Sequence, residues 1–487
     1  DPAHLDLTQI KSYASVHPLI HVYSMLMQTE PKDATKLTTD LAEKWELSPD
    51  GKVYTFSLRN GVKFHDGNPL TSADVKYSFE HYRNPPKGVI IQLKTALDNV
   101  ERIEAPDAST VKFTLKQPQG SFLEVTSAPF MVIYPKHLLE QDPNIMKKRV
   151  VGTGPFRLKD YNRGVNLELE RNPDYFVKGR PYMDGIQRYI INDPAAIMSA
   201  LRTQRIQFTD ALQHLMTPAE RETVQKESPR IIVKQGPSPL AQYFIPNVTR
   251  KPWDDIRVRK AVYLAFDRQG AVAVPGHYDA SIGADLVPGS GWDIPMEELL
   301  KLPGYRQPKD QDMAEAKRLL AEAGYPKGFS FDLLTRNIPD IVEQAVFAKD
   351  QLARLGIDAK LKIQETGLFY VIEAQHDFDA LSHGVGYVSP DPDFVFGEQY
   401  VTGAGGNWGL WSNTKFDALY REQSLTADAA QRKKLARQMQ ELIMQDASRI
   451  ILYYRNLSSL YWPEVRDWYF TPSYYVNRKM QDVWLAE

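Results

Sequence analysis

The chain has 487 residues, too many for one ordinary hydrophobic core, so we expect two or three domains. Its composition is 43% hydrophobic, 25% charged and 11% aromatic, which is typical of a well-folded globular protein. The formal net charge of −2 leaves no basic excess to neutralise phosphates, and this argues against a nucleic-acid partner.

The chain contains no cysteine, which excludes disulfides, thiol nucleophiles and thiolate metal sites. The absence fits an exported bacterial protein that avoids stray disulfides, although a cytosolic protein can lack cysteine too. No apolar run approaches the roughly 18 residues that a membrane-spanning helix needs. There is also no charged segment followed by an apolar one at the start, which is expected both for a cytosolic protein and for an exported protein whose signal peptide has been removed.

The first predicted elements surround the turn signal SPDG at residues 48–51. Apolar and polar residues alternate over 53–58, which predicts a half-buried strand. A helix is predicted over 73–82, capped by Thr71 or Ser72. Two short strands follow, within 101–116.

After residue 150, VVGTGPFRLKDY contains two glycines, Gly152 and Gly154, which indicate a close backbone crossing or a positive φ angle. The apolar pattern of residues 256–272 predicts a single helix. Further helices and strands then alternate through 313–365, and this βαβ-like succession favours an α/β domain over about 247–455. The aromatic-rich residues 456–487 look like strands and loops that pack onto an earlier core.

Several blocks occur in an order that one family shares: DLAEKWELSPDGKVYTFSLRNGVKFHDGNPLTSADVKYSFE, VGTGPFRL, ERNPDYF, DDIRVRKAVYLAFDR, AKRLLAEAGYP and LARLGIDAKLKIQE. From about residue 20 to about 455, the chain resembles the peptide/nickel-type extracellular solute-binding proteins of ABC importers (family 5, cluster C). The resemblance implies an α/β, two-lobed periplasmic-binding-protein fold with a hinge and an extra inserted subdomain.

The resemblance also implies a division of the chain. The first lobe would be discontinuous, formed by residues 1–39, 149–246 and 456–487. The inserted subdomain would be 40–148, and the second, α/β lobe would be 247–455. Ligand would be enclosed as the two lobes close about the hinge.

The implied function is capture of a peptide or other small polar solute and its delivery to permease subunits in the inner membrane. We expect a periplasmic monomer that has no cofactor and catalyses no reaction. A receptor for a sugar, an opine or a related conjugate is the alternative. A secreted hydrolase is the remote alternative, since two carboxylates could be opposed across domains, although no GxSxG, phosphate-binding loop or dinucleotide motif is present.

The stretch VSPDPDFVF, at 388–396, supplies the main candidate for ligand binding. In peptide-binding relatives an aspartate of a similar stretch receives the ligand's α-ammonium group, and Asp391 is the matching residue. The alternative is that Asp391 and Asp393 cap a turn or helix whose entry the proline fixes. Dipeptide-binding relatives also place an arginine early in the helix before LARLG. That helix has none here and only Arg336 is near, so we do not expect a free dipeptide as the ligand. A longer peptide held by main-chain bonds and a non-peptide ligand both stay open.

The remaining ligand-binding candidates come from loops that the resemblance places near the cleft, namely Ser12, Tyr13, His214, Tyr387, Asn407, Trp408 and Trp411. Aromatic rings stack on ligand groups and asparagine fixes polar ones, but ordinary packing or loop hydrogen bonds would explain the same residues. Among ten histidines, only His17 and His21 stand four apart, and HExxH is absent, so we expect no metal site.

Overall fold

The structure is a computed structural model that describes residues 2, 4–9, 13–89, 91, 93–191, 193–209, 218–277, 279–387, 389–426, 428–469 and 479–486, without the side chains of residues 13, 14, 34 and 35. No helix among the described residues is long and apolar enough to cross a membrane.

The strands, in chain order, are β1 (Met27–Glu30), β2 (Asp33–Thr39), β3 (Ala42–Leu47), β4 (Val53–Leu58), β5 (Val100–Asp107), β6 (Thr110–Leu115), β7 (Phe156–Asn162), β8 (Asn166–Arg171), β9 (Gly185–Tyr189), β10 (Ile232–Pro246), β11 (Ala280–Ser281), β12 (Ser330–Arg336), β13 (Asp358–Gln364), β14 (Ala380–Gly386), β15 (Ile450–Tyr461), β16 (Val465–Arg466) and β17 (Trp484–Leu485).

The α-helices are α1 (Tyr13–Leu19), α2 (Ser72–Arg83), α3 (Phe122–Ser127), α4 (Lys136–Leu139), α5 (Pro194–Arg202), α6 (Pro218–Glu227), α7 (Ile256–Ala265), α8 (Arg268–Ala273), α9 (Met296–Leu299), α10 (Asp310–Glu322), α11 (Pro339–Ala353), α12 (Thr366–Ala374), α13 (Pro392–Gln399), α14 (Thr414–Leu425) and α15 (Ala429–Asp446).

An antiparallel sheet in the order β3-β4-β6-β5 forms within residues 42–115. The predicted alternation of β4 is confirmed, because Tyr54, Phe56 and Leu58 are buried between more exposed neighbours. The predicted helix is confirmed as α2, whose first turn is closed by a reciprocal capping box of Thr71 and Asp74. These elements share one large core with the residues that precede them and with β7 and β8.

The close crossing predicted at the two glycines is confirmed. A Cβ atom at Gly152 would lie 2.2 Å from the carbonyl oxygen of Val22, and one at Gly154 would lie 2.5 Å from that of His21. Because no side chain fits in that space, glycine is required for the chain to pass this closely. The crossing leads into the antiparallel sheet β7-β8-β9.

The largest sheet is mixed and six-stranded, in the order β11-β15-β10-β14-β12-β13. Strands β12 and β13 are parallel, as the βαβ pattern predicted, and β14 is also parallel to β12. Strand β10 pairs antiparallel with both β14 and β15. The long strands β10 and β15 carry the chain into and out of this α/β part. The boundary predicted at 246/247 falls at the end of β10, and the one at 455/456 falls within β15.

The single helix predicted over 256–272 is wrong, because the chain forms two helices there. Helix α7 ends at Ala265, Phe266 is extended, and Asp267 caps α8 by accepting from the N–H of Gln269. An aspartate competes for local backbone hydrogen bonds and so ends one helix and starts the next. The two faces of the six-stranded sheet carry separate cores, one around Phe244 and one around Tyr243.

Candidate functional site

Helix α13 begins with the aspartates of the VSPDPDFVF stretch. Asp391 is its N-cap, with extended backbone, and its carboxylate accepts a hydrogen bond of 2.9 Å from the N–H of Asp393. Pro392 occupies the first helical position, where its fixed φ angle fits and its missing N–H is not needed. The local sequence Asp-Pro therefore specifies where this helix starts.

Arg432, on α15, pairs with Asp391 through both carboxylate oxygens. Its Nη1 donates to Oδ2 at 3.0 Å and its Nη2 donates to Oδ1 at 2.7 Å. Both residues are buried, with 2% of Asp391 and 4% of Arg432 exposed. Burial raises the pKa of Asp391 above its usual value, and the guanidinium opposes that rise. A buried bidentate pair of this kind holds both groups in one geometry.

The next carboxylate, Asp393, joins α13 to the N-terminal part of the chain. It accepts hydrogen bonds from Ser121, which caps α3, and from Gln423 and Ser424 at the end of α14. Phe394 packs into the large N-terminal core. We call this junction of residues 120–125 with 391–394 and 423–432 the α3–α13 contact.

Backbone atoms also meet at the α3–α13 contact. The N–H of Gly120 donates to the carbonyl oxygen of Ser424 at 2.8 Å. A Cβ atom at Gly120 would lie 2.5 Å from the carbonyl oxygen of Thr426 and 3.1 Å from Cδ of Arg432. The two segments therefore approach this closely only because residue 120 is glycine.

Glu124, in α3, is the third carboxyl group of the α3–α13 contact. Its Oε2 is buried and has no hydrogen-bond partner among the described residues. The pKa of Glu124 is raised to about 8. Burial is the main cause and the nearby charge of Asp391 adds to it, whereas Arg432 opposes the rise. Three carboxyl groups thus face one guanidinium, and the raised pKa of Glu124 favours its protonated form there.

A cavity of about 780 Å³ lies beside the α3–α13 contact, between the N-terminal part and the α/β part. It is lined by residues from the segments 93–99, 117–125, 393–406 and 420–425. Its volume falls in the range of small-molecule and peptide sites, about 300–1,000 Å³. The charged residues that line it are Asp98, Asp393, Glu398 and Arg421.

Behind this cavity, a buried polar cluster surrounds Arg449. The Arg449 guanidinium donates to Gln399 Oε1 at 2.6 Å and to the carbonyl oxygen of Gly406 at 2.8 Å, and both of these residues line the cavity. The predicted site residue Tyr387 is fully buried, and its hydroxyl is hydrogen-bonded to that of Tyr243. The Tyr243 ring lies 5.0 Å from the Arg449 guanidinium.

Asn407, Trp408 and Trp411 belong to the loop between α13 and α14. The Asn407 side chain bonds to the backbone of Trp411 in both directions, with Nδ2 donating at 2.7 Å and Oδ1 accepting at 3.1 Å. Trp411 is buried and donates from Nε1 to Asp446 Oδ2 at 3.1 Å. Trp408 is partly exposed, and its ring is 5.2 Å from the Arg449 guanidinium. The structure thus brings Trp408 and Tyr387 together around Arg449, while Asn407 and Trp411 make contacts that shape the loop.

Three predicted site residues are not described in full. Ser12 and His214 lie outside the described residues, and Tyr13 is described only by its backbone, at the start of α1. Within the part of the chain that the structure describes, no group of three His, Asp or Glu side chains is arranged to hold a metal ion. The paired candidates His17 and His21 are both buried.

Sequence reasoning missed Glu124, Arg432 and Arg449. Arg432 lies on the buried face of α15. A charged residue on a buried face needs a partner, so the helical pattern of α15 could have indicated a buried ion pair at this position. Glu124 and Arg449 carry no such signal, because their neighbours come from distant parts of the chain.

Residues 36–407 match the protein family described as bacterial extracellular solute-binding proteins, family 5. The glutathione-binding protein GsiB of Escherichia coli is 27% identical over 447 residues, which cover 90% of this chain and 84% of that protein.

Two solved structures have the same fold. The periplasmic binding protein DppA of Helicobacter pylori, in complex with the peptide STSA, is 26% identical with a TM-score of 0.81, covering 100% of this chain and 96% of that one. AgaA of A. tumefaciens, in complex with agropinic acid, has a TM-score of 0.81, covering 100% of this chain and 97% of that one. At 23% identity, the likeness to AgaA shows the two-lobed fold alone.

Proposed function

Because the chain belongs to the bacterial extracellular solute-binding proteins of family 5, we propose that it binds a peptide-class solute in the cavity beside the α3–α13 contact and delivers it to an ABC importer permease. The observation that carries the proposal is the position of the cavity, which is walled by both parts of the chain. A solute held there would contact both walls at once, so binding would favour the state in which they are closed.

In this proposal, residues 1–39, 149–246 and 456–487 form the first lobe, 40–148 its inserted subdomain, and 247–455 the second lobe. Support comes from β10 and β15, the two strands by which the chain enters and leaves the α/β part. The chain acts as a monomer in the periplasm and releases its solute chemically unchanged. Peptide is favoured over sugar or opine, because relatives of this chain bind glutathione and the peptide STSA.

Tyr387 and Trp408 are proposed to contribute to the solute site through their packing around Arg449. The role of Asp391 as acceptor for a ligand ammonium group stays a prediction. Since both of its oxygens accept from Arg432, an incoming ammonium group would have to share the carboxylate with that guanidinium.

The test is a thermal-shift screen of the full chain after unfolding and refolding to remove resident solute. The panel contains glutathione, tripeptides, N-acetylated tripeptides, sugars, opines and nickel. A solute at 100 times its dissociation constant should stabilise the protein by about 2.7 kcal/mol. We expect a shift with peptides, recovery of the peptide unchanged by mass spectrometry, and a smaller shift for N-acetylated peptides if Asp391 meets the ammonium group.

A cavity-filling variant links binding to this cavity. Gly405 lines the cavity, and a Cβ atom there would meet nothing within 4 Å, so Gly405→Trp adds bulk without a local clash. The control is Lys434→Trp, at an exposed position of α15. Loss of the peptide shift in Gly405→Trp alone supports the proposal. A peptide shift that both variants retain, or a wild-type chain that responds only to sugars, opines or nickel, contradicts it.

A further inference from the structure

A second cavity lies within the α/β part of the chain. Its volume is about 1020 Å³, at the upper end of the range for small-molecule sites, about 300–1,000 Å³. Helices α7, α10 and α15 and the segment 302–306 surround it. None of its lining residues lines the cavity beside the α3–α13 contact, so the two cavities are separate and this one has no part in the proposed function.

One wall of this second cavity is apolar. Five of its lining residues belong to the core around Phe244 or pack against it, namely Tyr263, Leu264, Leu302, Leu319 and Met444. An apolar group that covers this wall would be stabilised by about 25 cal/mol for each Å² of apolar surface that it removes from water. The wall therefore favours an occupant with an apolar body.

The charges around the second cavity favour an anion. Its charged lining residues are four basic ones, Lys260, Arg306, Arg318 and Arg437, and two acidic ones, Glu315 and Glu441. Each of the three arginines is paired with one or two carboxylates of α9, α10 or α15. Lys260 is partly buried on α7 and makes no ion pair with any described carboxylate. A single positive charge is thus left unmatched among the described lining residues.

A buried guanidinium adds a second positive charge behind Tyr263. The Arg268 guanidinium is 4.5 Å from the centre of the Tyr263 ring, and Arg268 is 2% exposed. It donates to four backbone carbonyl oxygens but makes no ion pair with a described carboxylate, and its Nη2 has no hydrogen-bond partner among the described residues. Its charge is therefore not neutralised by a neighbouring side chain.

The hydroxyl of Tyr263 is also buried without a hydrogen-bond partner among the described residues, and Tyr263 is 6% exposed. Buried polar groups nearly always have partners, so an acceptor for this hydroxyl is missing. Lys260 and Tyr263 stand three positions apart on α7, which places them on one face of the helix. An anionic oxygen at this face could accept from both.

We infer that the second cavity binds a small amphiphilic carboxylate. Its apolar body lies against the core around Phe244, and its carboxylate accepts from the ammonium group of Lys260 and the hydroxyl of Tyr263. Such charge-assisted hydrogen bonds are the strong kind, and the buried charge of Arg268 adds to the attraction. A singly charged group matches the one unpaired cation of the described lining residues better than a phosphate does. This site goes beyond the proposed function, because its ligand is not the imported solute.

The experiment measures binding of decanoate to the full chain by isothermal titration calorimetry, below the concentration at which decanoate forms micelles. Decanol and decyltrimethylammonium carry the same apolar chain with an uncharged and a cationic head group. We expect the dissociation constant of decanoate to be about tenfold or more lower than that of decanol, because the alcohol cannot form the charge-assisted bond. Decyltrimethylammonium should bind less well than either.

Two pairs of variants locate the site. Lys260→Gln should remove the preference for decanoate over decanol, Lys260→Arg should retain part of it, and the control Lys317→Gln changes an exposed lysine of α10 outside the lining. Ala314→Trp adds bulk at a lining position of α10 and should abolish binding of both compounds. Its control, Ala321→Trp, lies at an exposed position of the same helix outside the lining and should leave binding intact. Circular dichroism and the melting temperature establish that each variant is folded.

Several results would overturn the inference. They are equal binding of decanoate and decanol by the wild type, an unchanged preference in Lys260→Gln, and no binding of decanoate at all. Loss of decanoate binding in Gly405→Trp would place decanoate in the cavity beside the α3–α13 contact and overturn it too. Without decanoate binding, flotation with phosphatidylglycerol vesicles that Lys260→Gln weakens would identify a membrane surface as the partner instead, and dimers that Ala314→Trp disrupts would identify a second copy of the chain.

Discussion

Replacing Glu124 with glutamine removes the carboxyl group of the α3–α13 contact whose pKa is raised from 4.5 to about 8. The pKa of this group is raised to about 8, first by burial and then by Asp391, from a usual value of 4.5. When the contact opens or the chain unfolds, Glu124 returns to water and ionises at its usual pKa. The formed contact therefore binds more protons than the open state throughout the interval between the two values.

The sign of the pH effect follows from this difference. A carboxyl group whose pKa is raised in the folded state destabilises that state as pH rises from about 4.5 to about 8. Inside this window, the free energy of unfolding falls by up to about 1.4 kcal/mol per pH unit. Between pH 6 and pH 8, Glu124 should lower the free energy of unfolding by about 2 kcal/mol, because it is partly titrated near the upper limit.

The measurement is denaturant unfolding of the wild type and of Glu124→Gln at pH 6, 7 and 8. Glutamine is uncharged at every pH and nearly isosteric, so the variant should lose the part of the slope that Glu124 contributes. Other buried groups, such as Glu373, titrate in both proteins and cancel in the difference. The matched control is Glu43→Gln, an exposed residue of β3 in the same N-terminal part, which should retain the wild-type slope.

Equal pH slopes for the wild type and Glu124→Gln would refute the reasoning. That outcome would mean that water or a rearranged Arg432 stabilises the ionised carboxylate in the contact.

Arg432→Met should lower the free energy of unfolding by about 3–5 kcal/mol, because Asp391 is then a buried charge without its partner. Adding Asp391→Asn should recover part of this loss, and denaturant unfolding measures both effects. Gly120→Ala should lower the free energy of unfolding by about 1–3 kcal/mol, because the added methyl group forces the two segments of the α3–α13 contact apart. The backbone amides of the α3–α13 contact should then exchange their hydrogens faster than in the wild type. Lys479→Met should also cost about 3–5 kcal/mol, measured by denaturant unfolding, because Lys479 and Asp40 are a buried ion pair with each side chain 2% exposed.

Matched variants separate these effects from general damage. Lys434→Met changes an exposed residue on the same helix as Arg432 and should alter stability by less than about 0.5 kcal/mol. Gly405→Ala adds a methyl group where nothing lies within 4 Å and should be similarly mild. If a control loses as much stability as its partner variant, burial and contact are not the cause.

Short-range sequence patterns are sufficient to predict the local structure of several elements. The alternation of β4, the capped helix α2 and the start of α13 at Asp391-Pro392 all follow from residues within a few positions of each other. The ordered blocks also indicated the family and its two-lobed fold. The single helix predicted over 256–272 failed because the apolar period continued across a residue, Asp267, whose side chain starts a new helix.

Which charges pair with each other depends on the tertiary fold. Arg432 is 41 positions from Asp391, Ser121 is 272 positions from Asp393, and Lys479 is 439 positions from Asp40. A buried charge is stable only beside a partner, but any of many charged residues in the sequence could serve. Which one does depends on how the sheets and helices pack, and the same packing sets the raised pKa of Glu124. Local patterns fix the elements, whereas the electrostatic environment of each site is a property of the folded chain.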